Sequence, residues 1–216
     1  MNNLRILLIL TYVFSIIQCK MDPKKKNEIV TQSNENYGTL FEMNADQSII
    51  YWIGTAALKS HNGSLRFKSG NLEIDQQGQL KGGNFHVDMK SIANLDISDA
   101  QGKKDLEEHL KSVDFLAVDT FPEADFIIQK VIPITDSISN NLVVGDMTIR
   151  GITNEVQLKA NVIYSGNSAM IVIPEFTIDR TRWNINYQSS KIINIIKDKL
   201  INDEIKLSIK IIAVRK

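Results

Sequence analysis

The chain has 216 residues, with 25 basic and 25 acidic side chains and a single cysteine. The balanced charge excludes the basic excess that nucleic-acid binding needs. One cysteine excludes an internal disulfide, so an exported domain would be held by its hydrophobic core alone, and the length suits one domain of barrel or sandwich type.

At the N-terminus, Arg5 precedes a nearly unbroken apolar run, Ile6 to Ile17, and then Cys19. A basic start, a short greasy core and a processing site describe a secretory signal too short to span a membrane. The position of Cys19 points to lipidation rather than redox chemistry. Ile16-Ile17-Gln18-Cys19 resembles a bacterial lipoprotein processing site, with Gln18 where a small residue is usual; simple secretion is the alternative. Residues 20–40 are polar and aperiodic and read as a disordered tether, in which Lys24-Lys25-Lys26 suits anionic headgroups. The expected organisation is a signal over 1–19, a tether over 20–40 and a folded domain over 41–216.

Eight strands follow in the sequence, each with period-two alternation. They run from about Gln47 to Ala56, Gly63 to Asp75, Gln79 to Lys90, Ala124 to Ile134, Leu142 to Arg150, Glu155 to Tyr164, Ala169 to Asp179 and Glu204 to Val214. The first is apolar on both faces, so both are expected to be covered. Asn140-Asn141 and Ser165-Gly166-Asn167 are turn signals, and Pro174 marks a bulge or edge. Helical spacing of Leu106, Leu110 and Val113 predicts a helix from Lys103 to Asp114, and a second helix is expected from Ser190 to Leu200. Eight antiparallel strands with one apolar face each are best accommodated by closure into a barrel, which removes unpaired edges. Such a barrel is either filled by side chains or holds one slender ligand, and the pattern leaves both open.

No nucleophile–base constellation, Gly-x-Ser-x-Gly motif or glycine-rich phosphate loop is present in the sequence. The expectation is therefore a protein that is not an enzyme. Three scattered histidines without cysteine do not suggest a metal centre. His61 is either a polar contact at a barrel mouth or, with Asn62 and Gly63, part of a turn in which Gly63 takes a positive φ. His86 is expected to face solvent, and His109 to pack on its helix. In Asp179-Arg180-Thr181-Arg182-Trp183, one reading is a structural corner with Asp179 paired to an arginine and Trp183 closing the barrel end. The other is a site where arginine grips a charged headgroup.

A set of ordered strings resembles a known family. They are Ser48-x-Ile50-x-Trp52-x-Gly54, Ser60-His61-Asn62-Gly63, Gly70-x-Leu72 and Gly82-Gly83-x-Phe85-x-Val87-Asp88-Met89-x-Ser91-Ile92. His109-Leu110-Lys111-Ser112-x-Asp114-Phe115 and Phe121-Pro122-x-Ala124-x-Phe126 come next. Gly145-Asp146-Met147-Thr148-Ile149-Arg150-Gly151-Ile152-Thr153 and Ile178-Asp179-Arg180-Thr181-x-Trp183 complete the set. Together they resemble the YceI-like exported proteins from about Asn44 to the C-terminus.

The resemblance implies an all-β, eight-stranded, lipocalin-like antiparallel barrel with one or two short helices and an elongated apolar interior. It implies an isoprenoid or other long-chain lipid as ligand, with no other cofactor, and a periplasmic or outer-envelope location. The membrane would be reached through an anchor at Cys19, and a second copy of the chain is a further candidate partner. The side chains expected along the ligand are Trp52, Leu65, Phe67, Phe85, Val87, Phe115, Phe126, Met147, Leu158 and Trp183. His61, His109 and Arg180 are candidates for the polar or headgroup contact. Two other readings stand beside this one: a structural or stress-response lipoprotein with a filled barrel, and an enzyme or haem module built on the histidines.

Overall fold

The computed structural model describes residues 38–56, 59–191 and 200–216. Cys19, the signal, most of the tether and the core of the expected second helix lie outside these described residues. Among the described residues nine strands occur in chain order: β1 (Thr39–Met43), β2 (Ile49–Thr55), β3 (Ser60–Ile74), β4 (Leu80–Asn94), β5 (Glu123–Pro133), β6 (Asn141–Ile149), β7 (Ile152–Ser165), β8 (Ser168–Asp179) and β9 (Glu204–Arg215). Helix α1 (Ala100–Lys111) joins β4 to β5, and a single 3-10 turn (Arg180–Trp183) follows β8.

These nine segments make eight staves. β1 and β2 both pair with β3 and with β9, one above the other. They are two halves of one stave, interrupted between Asn44 and Ser48. Every other strand pairs antiparallel with its neighbour in sequence, and the split stave closes β9 onto β3. Among the described residues the result is an up-and-down meander in which every strand has a neighbour on each side, the closed barrel that the alternation predicts.

Ser48 holds the interrupted stave together. Its hydroxyl donates to Asn44 O at 2.7 Å and accepts from Ile212 N at 3.0 Å. Asn44 N donates to Ile212 O at 2.8 Å. Two β9 backbone groups that a continuous strand would pair are thereby satisfied, and Ser48 is fully buried. The upper half does not have two covered faces: Ile50 and Trp52 point inward, but outward-facing Tyr51 is 46% exposed.

Gly63 is not a turn residue. β3 begins at Ser60, and Gly63 lies opposite Trp52 in the ladder. A Cβ there would stand 1.9 Å from Ala93 O and 2.4 Å from Trp52 Cζ2. The glycine is required by the indole lying across it. A positive φ is used at the β6–β7 hairpin, where Arg150 and Gly151 have φ of 51° and 71°, the pattern of a type I′ two-residue turn.

Helix α1 starts three residues earlier than apolar spacing predicts, because Asp99 caps it by accepting from Gly102 N at 2.7 Å. The bulge expected at Pro174 is present as a register shift between Ile173 and Phe176 against β9.

Ser48→Ala should cost about 1–3 kcal/mol, the range for stranding buried backbone partners. Urea unfolding would measure it, and an unchanged midpoint would show that the interrupted stave needs no such bridge.

Candidate functional site

The inward rows set the site. At the end where β1 enters, large aliphatic and aromatic side chains meet: Phe41, Leu72, Ile74 and Leu80 are buried, with Phe41 edge-on to Tyr164 at 5.7 Å. This end is packed. Toward the other end the rows thin to small or widely spaced residues such as Gly54 and Ala56, and space opens.

The space forms two chambers. The outer one lies under α1 and offers about 210 Å³ to the centre of a water-sized sphere. The inner one, deeper in the barrel, offers about 100 Å³. One water needs roughly 10–15 Å³ on this measure, so these are built spaces and not packing defects. Leu65, Ile149 and Leu207 line both chambers and form a waist between them.

Trp52, Phe115 and Trp183 line the outer chamber, with Leu106 and Leu110 of α1 above them. Phe67, Phe85, Val87, Phe126, Met147 and Leu158 line the inner one. Phe67 and Phe85 sit on adjacent staves with ring centroids 6.1 Å apart and pack edge to face. The sequence did not single out Ile149 and Leu207 as waist residues, although the alternation places both inward.

The polar candidates separate. His61 lines the outer chamber. It lies in β3 opposite Gly54, not in a turn. Its Nδ1 is 2.9 Å from Asp96 Oδ2, and Asp96 Oδ1 accepts from Asn62 N at 2.8 Å and Asn94 Nδ2 at 2.6 Å. Burial works against the Asp96 charge, but the hydrogen bonds from Asn62, His61 and Asn94 outweigh it and hold the carboxyl down at about 2. Glu107 of α1 accepts from Asn94 N at 2.8 Å, tying the helix to the same cluster.

His109 does not line either chamber. It stands behind Phe115, edge-on at 5.0 Å, and against Tyr187 at 4.8 Å, with Nε2 3.2 Å from Asp114. It buttresses the wall.

Arg180 lines the outer chamber and is 2% exposed, and four of the five guanidinium N–H groups donate to protein. It donates to Asn202 O, Ile185 O, Ile201 O and Asp203 Oδ1 at 3.1, 2.8, 3.0 and 3.2 Å. Desolvation lowers its pKa, with Asp203 and Asp179 opposing that shift. The structural corner is therefore present with a different partner. Asp203 takes the arginine, while Asp179 accepts from Thr181 and pairs with Lys191. Trp183 is fully buried and donates from Nε1 to Met147 O at 3.0 Å.

On the outer wall His86 is half-exposed and bonds Asp125 at 2.6 Å. His86, Glu123 and Asp125 bring ligand-type atoms within 4.8 Å of one another, a grouping invisible in the sequence because it spans two strands. Lys68 pairs with Glu123, so the charges in this group already answer one another.

Asp96 gives a pH test. A carboxyl held below its ordinary value stabilises the fold fully above the unfolded pKa near 4, and that stabilisation is lost as pH falls through about 2. Asp96→Asn should lower stability by about 1 kcal/mol at neutral pH, after discount for partial exposure. The gap between the two proteins should close between pH 4 and 2; a gap independent of pH would assign the loss to lost shape instead of lost charge.

The geometry agrees with the comparisons. The model of the YceI-like domain matches residues 41–213. UPF0312 proteins of Staphylococcus aureus strains USA300 and bovine RF122 are 32% and 33% identical over 109 residues, covering 47% of this chain and 60% of each relative. The match thus spans three-fifths of those relatives' length. BcnA of Burkholderia cenocepacia superposes with a TM-score of 0.63 at 16% identity, over 80% of this chain and 99% of that one. A polyisoprenoid binding domain from Saccharophagus degradans gives 0.56 at 13% identity, over 82% and 98%. The Campylobacter jejuni YCEI protein gives 0.51 at 15% identity, over 95% and 99%. At these identities the structural matches show a shared fold, and with the match to the domain model they establish that the chain belongs to the YceI-like family.

Proposed function

We propose that this protein binds one long-chain lipid, of isoprenoid or similar type, with the chain threaded through both chambers. The observation that carries this reading is the pair of apolar chambers joined at the Leu65–Ile149–Leu207 waist. Burying one methylene is worth about 0.8 kcal/mol, so a five-carbon unit contributes roughly 3–4 kcal/mol before ordering losses. A few units suffice for tight binding without any polar motif. The name of the Saccharophagus degradans neighbour points to the same ligand class. On this proposal the present chain is a carrier or reservoir, with no chemistry of its own.

The same proposal places the protein in the envelope, anchored through Cys19. The N-terminal signal pattern supports this placement. Cys19→Ser should abolish incorporation of labelled fatty acid and release the protein from membranes. Labelling that persists would remove the anchor.

Native mass spectrometry of protein taken from its own membranes should show a bound lipid. Leu65→Trp fills the waist. It should leave the melting temperature within a few degrees yet weaken binding of a twenty-carbon isoprenoid at least tenfold, while a ten-carbon one loses little. Equal binding of both lengths by the two proteins would mean that the chain does not pass the waist.

A further inference from the structure

The outer chamber is almost wholly apolar, but Trp52, His61 and Arg180 stand in its lining. Its two arginine-corner residues are satisfied: Arg180 by four protein acceptors and Trp183 by Met147 O. Trp52 differs. It is 7% exposed, it forms part of the chamber wall, and its buried Nε1 has no acceptor among the described residues. A buried donor without a partner is uncommon and calls for an explanation.

His61 stands beside it. Trp52 lies opposite Gly63 and His61 opposite Gly54, so the two are diagonal neighbours on one inner face. Such neighbours are roughly 7–8 Å apart, within reach of one another's long side chains. The ionised Asp96 faces Nδ1 of His61, which fixes the proton on that nitrogen. In the neutral ring Nε2 is then an acceptor, and it has no hydrogen-bond partner among the described residues. The almost wholly apolar lining therefore includes one donor and one acceptor that no described residue takes.

We infer that the outer chamber recognises a neutral hydroxyl at the head of the lipid, which accepts from Trp52 Nε1 and donates to His61 Nε2. This rests on the reading that the bore holds a lipid chain and adds the head group to it. A phosphate head fits poorly, because Arg180, which lines the chamber, has four of its five N–H groups turned to protein oxygens.

The test uses four probes of equal chain length: a twenty-carbon isoprenoid alcohol, its methyl ether, its phosphate and the hydrocarbon without oxygen. The chain has two tryptophans, so its indole N–H spectrum holds two peaks, and Trp183 serves as the internal reference. The alcohol should move the Trp52 peak downfield and leave the Trp183 peak in place; the hydrocarbon should move neither to that field. The alcohol should bind about 3–10-fold more tightly than the hydrocarbon, the worth of one net hydrogen bond. In Trp52→Phe that ratio should fall at least twofold, the bond to His61 remaining. An ether that binds as well as the alcohol overturns the role of His61. A phosphate that binds better than the alcohol overturns the neutral head. Alcohol and hydrocarbon bound equally, with the Trp52 peak unmoved, overturn the inference and leave lipid binding intact; failure to bind any probe overturns both. Should Trp52→Phe not fold, the spectrum of the natural protein decides alone.

Discussion

Eight staves closed into a cylinder fix its bore, and from then on the inward side chains alone decide how much of it is empty. Closure here depends on the β1–β9 and β2–β9 ladders, which a continuous strand would supply and a broken stave supplies in two pieces. With every strand paired on both sides, the inner rows set how the bore is filled. Phe41, Leu72 and Ile74 pack one end, while Gly54, Ala56 and the Gly63 seat beneath Trp52 leave room at the other. The taper is a consequence of side-chain volume laid along a fixed frame.

The polar groups of the molecule divide by task. Asp96 gathers Asn62, Asn94 and His61 where β3 begins and β4 ends, and Glu107 fastens α1 to the same point. Arg180 stitches the segment before β9 to the turn after β8. Both clusters stiffen the open rim of an otherwise greasy bore. That rim is where irregular backbone would leave N–H and C=O groups stranded. A fully satisfied cluster costs little to bury, whereas a half-satisfied one would cost more than an apolar contact.

The meander was legible because alternation of apolar and polar residues is a direct image of a barrel wall with one wet and one dry face. Phe85-x-Val87-x-Met89 and Val156-x-Leu158-x-Ala160 show this in sequence and line the interior in space. The lower half of the first stave was not legible. Thr39–Met43 is only five residues long, and it sits between polar residues and the Asn44–Ser48 break, so it shows too little period to be read and reaches two residues into the stretch assigned to the tether. The start of α1 was missed because a cap, Asp99, defines it and not an apolar stripe. His61 was placed at a turn because Asn62-Gly63 imitates one; only the indole across the ladder shows why a glycine stands there. The partners of His61 and Arg180 lie 35 and 23 residues away, beyond any local pattern. The ladder residues that could be named as lining were those whose direction the pleat already dictates.

A bore packed at one end is a blind alley. On the proposed function, a lipid would enter tail first from the end that is not packed and leave by backing out along the same path. Each added methylene deepens the well by about 0.8 kcal/mol, close to a fourfold change in escape rate. Dwell time would then rise geometrically with tail length while capture remained nearly constant, and the barrel would sort its guests by how slowly they depart.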